Sequence, residues 1–130
     1  MPTNTSAPRK RHVLIVEDNL ELAATYKELL EIQGYEVSLA PDGADALKLV
    51  LTRPPDAVIC DLQMPNLDGD LLYATVERTQ PALARRFVFV TGMADDERFR
   101  KFIATVEAPV LRKPVQVTAL LAEVARVMVH

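Results

Sequence analysis

Short, unbroken apolar runs alternate along the chain with longer stretches whose apolar residues recur every three or four positions. Val13-Leu14-Ile15-Val16, Ala57-Val58-Ile59-Cys60 and Phe87-Val88-Phe89-Val90 are too short for typical helices and mostly rich in β-branched or aromatic residues. They predict strands buried on both faces. Tyr35 to Leu39 alternates, which suits an edge strand, and a short fifth strand is predicted around Val110 to Arg112. Between these runs, Leu22, Tyr26, Leu29, Leu30 and Ile32 keep mostly helical spacing up to Gly34, with Asp18 or Asn19 as the cap. Leu47, Val50 and Leu51 give a second helix its stripe between the Pro41-Asp42-Gly43 turn and Pro54-Pro55. A third carries Leu71, Leu72, Thr75 and Val76 and is closed off by Pro81. Asp95 or Asp96 opens a fourth, with Phe99, Phe102 and Ile103 inward, and Val117, Leu120, Leu121, Val124 and Met128 line a fifth whose cap is not evident. Five strand-helix units with short connections predict an α/β sheet with helices on both faces.

At 130 residues, about half of them apolar, the chain suits one domain with a sizeable core. A net charge of -3 argues against nucleic acid or an anionic membrane as partner. Cys60 is the single cysteine, so an intrachain disulfide is impossible, and its apolar surroundings predict an inert core thiol in a reducing compartment. No apolar run approaches the roughly 20 residues of a membrane-spanning helix, and no secretory signal pattern opens the chain; a cytoplasmic location is expected. Residues 1–11, with Arg9-Lys10-Arg11 at their end, have little to bury and are expected to form a flexible leader or linker, so the folded domain is expected over 12–130.

Chemistry enters at the strand ends. Four of the five predicted strands finish in a group able to handle a phosphoryl: Glu17 and Asp18, Asp61, Thr91, and Lys113. In open parallel sheets that carboxyl edge is where ligands collect, and the strand ending near Ala40, which contributes none, is expected at the outer edge. Three carboxylates in one crevice are unfavourable unless a cation sits among them, and hard oxygen donors suit Mg²⁺. With the metal bound, Asp61 suits a nucleophile towards phosphorus, Lys113 supplies a mobile positive charge and Thr91 a hydroxyl, while Gly92 admits close backbone approach.

The acidic pair in V-L-I-V-E-D-N, the D-L-Q-M-P-N-L-D-G block, V-T-G and V-L-R-K-P together resemble the receiver domain of two-component response regulators, from about His12 to the end. The resemblance implies a doubly wound, flavodoxin-like parallel sheet of five strands in order 2-1-3-4-5 and a cis Lys113-Pro114 bond. It implies Asp61 as phosphoacceptor, Mg²⁺ held by Asp18, Asp61 and the Gln63 backbone carbonyl with Glu17 assisting through water, and Thr91, Gly92 and Lys113 on the phosphoryl group. Gln63 and Met93 occupy the positions that tune phosphoryl lifetime. The implied role is regulatory, a phosphorelay domain that promotes its own phosphorylation and dephosphorylation rather than an enzyme acting on a separate substrate. The implied donor is a phosphohistidine on a sensor histidine kinase or histidine phosphotransfer protein. Similarity to carboxyl-terminal receivers of hybrid histidine kinases suggests an excised receiver with a linker remnant. With no effector domain expected after Met128, output is expected through binding, to an unidentified protein or a second copy, by the face of the Phe99 helix, the Val110 strand and the last helix. The family's usual aromatic switch position is Val110 here, which removes an aromatic swing as the coupling device.

Three rivals remain. A phosphohydrolase of the haloacid dehalogenase type also uses a strand-end aspartate and Mg²⁺, but Gln63 stands where its acid/base is needed. A receiver-shaped interaction module independent of phosphate normally lacks Asp61, Lys113 or the acidic pair, and all are present. A flavodoxin-like flavin binder needs a phosphate-cradling loop after the first strand, which Glu17 and Asp18 oppose.

Overall fold

In the computed structural model, which describes residues 9–129, every strand pairs parallel to its neighbours. The elements run β1 (His12–Val16), α1 (Leu20–Ile32), β2 (Glu36–Ala40), α2 (Gly43–Thr52), β3 (Ala57–Asp61), α3 (Gly69–Thr79), α4 (Pro81–Ala84), β4 (Phe87–Thr91), α5 (Glu97–Thr105), β5 (Val110–Arg112) and α6 (Val117–Met128). The sheet order is β2-β1-β3-β4-β5, as expected, with β2 at one edge. A strand that must fill both of its faces has no polar position to spare. Leu14, Val16, Val58, Cys60, Phe87 and Phe89 pack on the side of α2, α3 and α5, whereas Val13, Ile15, Ala57, Ile59, Val88 and Val90 pack against α1 and α6. That two-sided demand is why the three central strands read as unbroken apolar runs.

Helix boundaries follow the local chemistry. The Asn19 side chain accepts the Leu22 amide and so resolves the first cap in favour of Asn19 over Asp18, and Asp96 accepts the Arg98 amide in the same way. The α6 cap, Gln116, makes no side-chain bond, which explains why none was evident. Gly34, at φ 95°, ends α1 in the left-handed region that side chains avoid. Pro81 does more than stop α3: it opens the single turn of α4, where proline's missing N–H costs nothing. Four expected core positions are instead exposed, Ile32, Leu51, Leu71 and Val117. In α2 the inward stripe is Gly43, Ala46 and Val50; Leu51, one step further round the helix, faces outward.

At the amino end of the sheet, Asp56 accepts the His12 amide at 2.7 Å and pairs with Arg9 at 3.2 Å and Arg11 at 3.7 Å. The basic triplet is thus tied to the domain through two of its members. Residues 1–8 of the expected leader, and His130, lie outside the described residues. Cys60 is buried, its thiol pushed well up by burial foremost, in keeping with an inert role.

Candidate functional site

All five strand-end residues singled out by sequence lie at the same edge of the sheet, and three side chains are in direct contact. Lys113 Nζ donates to Glu17 Oε1 and to Asp61 Oδ2, both at 2.8 Å. The carboxylates of Glu17, Asp18 and Asp61 offer one oxygen each within 4.8 Å of one another.

Each residue is held by a local device. Glu17 continues β1 by donating its amide to Ala40 O, and its second carboxylate oxygen accepts the Asn19 amide at 3.1 Å. With one oxygen on Lys113 and the other on Asn19, Glu17 has little left for direct ligation of an ion. Asp18 is the converse: Asn19 has taken the capping role, so the Asp18 carboxylate is exposed and unpaired among the described residues. Asp61 ends β3 nearly buried, its Oδ1 accepting the Gln63 amide at 3.3 Å. A Cβ on Gly69 would strike the Asp61 carbonyl oxygen, so α3 starts this close to the strand end only because residue 69 lacks a side chain. The intervening loop is pinned by Asn66, at φ 69°, whose amide donates to Asp42 Oδ2 at 2.9 Å.

Thr91 is fully buried, and its hydroxyl oxygen accepts the Met93 amide at 2.9 Å. Lys113 follows β5, fastened to β4 by its amide on Thr91 O at 2.9 Å, and the Lys113-Pro114 bond is cis as the resemblance implied. Val110 opens β5 half-buried against the aromatic side of the core.

Burial, with the charge of Asp61 adding to it, raises the Glu17 carboxyl above its usual range, against the opposing pull of Lys113 and the Asn19 amide. For Lys113, burial works to lower the ammonium, but its bonds to Asp61 and Glu17 outweigh that and raise it. One ammonium therefore pairs with two of the three carboxylates and leaves Asp18 without a cation. The surplus negative charge, the crowded oxygens and the unpaired Asp18 fit a small hard cation such as Mg²⁺.

A cleft of about 630 Å³ opens over this cluster, lined by Asp18, Asp61, Gln63, Met93, Gly92 and Lys113 among others. Glu17 and Thr91 do not line it; they lie buried beside it. Asp68 and Arg98 do line it and were missed by sequence reading, although the turn after β4 already carried a signal: a helix beginning there starts over the same edge as Thr91. Among the described residues no helix is long and apolar enough to cross a membrane.

Comparison with known proteins bears on the family and the fold. The family model described as response regulator receiver domain matches residues 13–125. The chain is 37% identical over 117 residues to the sensor histidine kinase TmoS of Ectopseudomonas mendocina, covering 89% of this chain and 12% of that protein. It is 41% identical over 69 residues to the transcriptional regulatory protein PrrA of Mycobacterium tuberculosis, covering 53% of this chain and 28% of the regulator. The chain thus spans well under a third of these curated relatives. Among solved structures, the signal receiver domain of an HD domain-containing protein from Pseudomonas fluorescens superposes with TM-score 0.84 at 27% identity, over 94% of this chain and 97% of that one. The receiver domain of a signal transduction histidine kinase from Syntrophus aciditrophicus gives 0.79 at 27%, over 92% and 90%.

Proposed function

The chain belongs to the response regulator receiver family, and from that premise we propose that it is the phosphoacceptor of a two-component phosphorelay, taking one phosphoryl group on Asp61. The observation that carries this reading is the Lys113 ammonium bridging Asp61 and buried Glu17 at 2.8 Å beside an unpaired Asp18. An Asp61 carboxylate oxygen attacks phosphorus in line, an O–P bond forms, and the N–P bond of the donor phosphohistidine breaks with its electron pair leaving on the imidazole nitrogen. The ion-binding residues are Asp18, Asp61 and the Gln63 backbone carbonyl, with Glu17 acting through water because both its oxygens already have partners. Bound Mg²⁺ supplies neutralisation of the phosphoryl oxygens.

Lys113 exchanges a carboxylate for a phosphoryl oxygen, and Gly92 leaves room for that group. Thr91 donates its hydroxyl hydrogen to it while the hydroxyl oxygen still accepts the Met93 amide, which links occupancy of the site to the turn before α5. Apolar Met93, lining the cleft together with Gln63, cannot orient a hydrolytic water, and this favours a longer-lived acyl phosphate. The donor is a sensor histidine kinase or histidine phosphotransfer protein, and the setting is cytoplasmic. Output runs through α5, β5 and α6, to an unidentified protein or a second copy. Similarity to TmoS over most of the chain favours a receiver attached to a histidine kinase.

The test is intact mass after incubation with acetyl phosphate and Mg²⁺. One phosphoryl unit is expected, dependent on the metal and absent in Asp61→Asn. Unmodified protein under those conditions, or modification that survives Asp61→Asn, overturns the reading.

A further inference from the structure

Two cations line the cleft beside Asp61, and the function proposed above employs only Lys113. The other is Arg98, second residue of α5. Its guanidinium rests 4.5 Å above the ring centroid of the fully buried Phe99, and its one ion-pair partner among the described residues is Asp68, Nη1 to Oδ2 at 3.8 Å. That separation is beyond hydrogen-bond length, and the Arg98 side chain is 51% exposed, so the pair holds the arginine weakly. Asp68 is more firmly occupied elsewhere, its Oδ1 accepting the Met64 amide at 3.1 Å.

Phosphorylation of Asp61 would place a more negative group, with three strong acceptor oxygens, in the cleft that Arg98 already lines. A planar guanidinium is matched to such a group, and a loosely held one changes partner at little cost. We propose that Arg98 is a second cationic contact for the phosphoryl group, released from Asp68 as that group arrives, and that the exchange draws the first turn of α5 towards the site. The proposal rests on Asp61 being the phosphoacceptor. It also gives the chain a coupling route where Val110 supplies no aromatic. The Asp96 cap fixes the Arg98 backbone to the helix start, and further along α5 the Phe102 ring meets Phe89 of β4 and Tyr73 of α3 edge-on, at 5.2 Å and 5.8 Å between centroids. A shift of α5 is therefore felt by both neighbours.

Beryllofluoride with Mg²⁺, a stable phosphoryl mimic, provides the test, read by titration and by amide NMR shifts over 97–105. Arg98→Gln is expected to weaken binding about tenfold, the scale of one charge-assisted hydrogen bond, and to shrink the α5 shifts, with Arg98→Lys recovering part of both. Asp68→Asn keeps an acceptor for the Met64 amide but drops the charge that competes for Arg98, so it is expected to tighten binding about threefold, an effect that vanishes when combined with Arg98→Gln. Wild-type affinity and α5 shifts in Arg98→Gln, or tightening by Asp68→Asn that persists without Arg98, overturn the role of Arg98. Failure of the wild-type protein itself to bind beryllofluoride and Mg²⁺ overturns the phosphoacceptor reading, and this assignment with it.

Discussion

The two ends of the sheet are built from the same kinds of charged residue and arrive at opposite electrostatic outcomes. At the amino end, charges are matched: Asp56 collects the His12 amide, Arg9 and Arg11, Glu36 meets Arg53 at 2.8 Å, and His12 Nε2 lies 2.7 Å from Ser38 Oγ. At the carboxyl end, Glu17 and Asp61 share a single ammonium and the neighbouring Asp18 has none. The amino end behaves as a clasp on the fold. The carboxyl end holds its carboxylates together against their mutual repulsion, and that unmet charge is what equips it to take up an ion and a phosphoryl group.

The same chemical change at each end should therefore have opposite signs. Asp56→Asn is expected to lower unfolding free energy by about 2 kcal/mol, because hydrogen bonds to a partly buried charge are lost. Denaturant unfolding measures it, and an unchanged midpoint would mean the clasp contributes nothing. Asp18→Asn, measured with a chelator present, is expected to raise stability by about 1 kcal/mol, since it relieves like charges within 4.8 Å of one another. A loss of stability there would erase the contrast.

Acidity should sharpen the comparison with the smallest effect. His12 is held below its usual 6.5 by burial and by Arg53, so as pH falls from 6.5 through that lowered value the unfolded chain binds the proton first and stability declines. Glu17 is held above its usual 4.5, so as pH rises from 4.5 through the raised value the unfolded chain releases its proton first and stability again declines. Melting curves across this range in chelator should show His12→Gln abolishing the first slope and Glu17→Gln the second. If either variant keeps the wild-type slope, that residue does not produce it.

Residues far apart in the chain differ in how far they could be read without coordinates. Val13 to Val16, Ala57 to Cys60 and Phe87 to Val90 announced central strands because strands covered on both faces carry no polar alternation, and Asp61 and Lys113 stood out as charges placed where those runs stop. Leu51 and Leu71 misled for the complementary reason. A helix several turns long presents more apolar residues than its inward stripe can bury, and which ones turn inward depends on the angle at which it packs. Asp56 was unreadable as a clasp, since its partners Arg9 and Arg11 lie more than forty positions away.

The order of apolar runs and helical stripes, together with polar residues at four strand ends, determined the parallel α/β layout and the candidate chemistry, because burial and periodicity are properties of local sequence. Only the folded chain decided that Glu17 has no free oxygen, that Asp18 keeps its carboxylate open once Asn19 caps the helix, and that Arg98 lines the same cleft as Asp61. Those outcomes depend on which partner reaches a group first in three dimensions, and hydrogen bonds and ion pairs are settled by distances of a few ångströms that spacing along a chain does not encode.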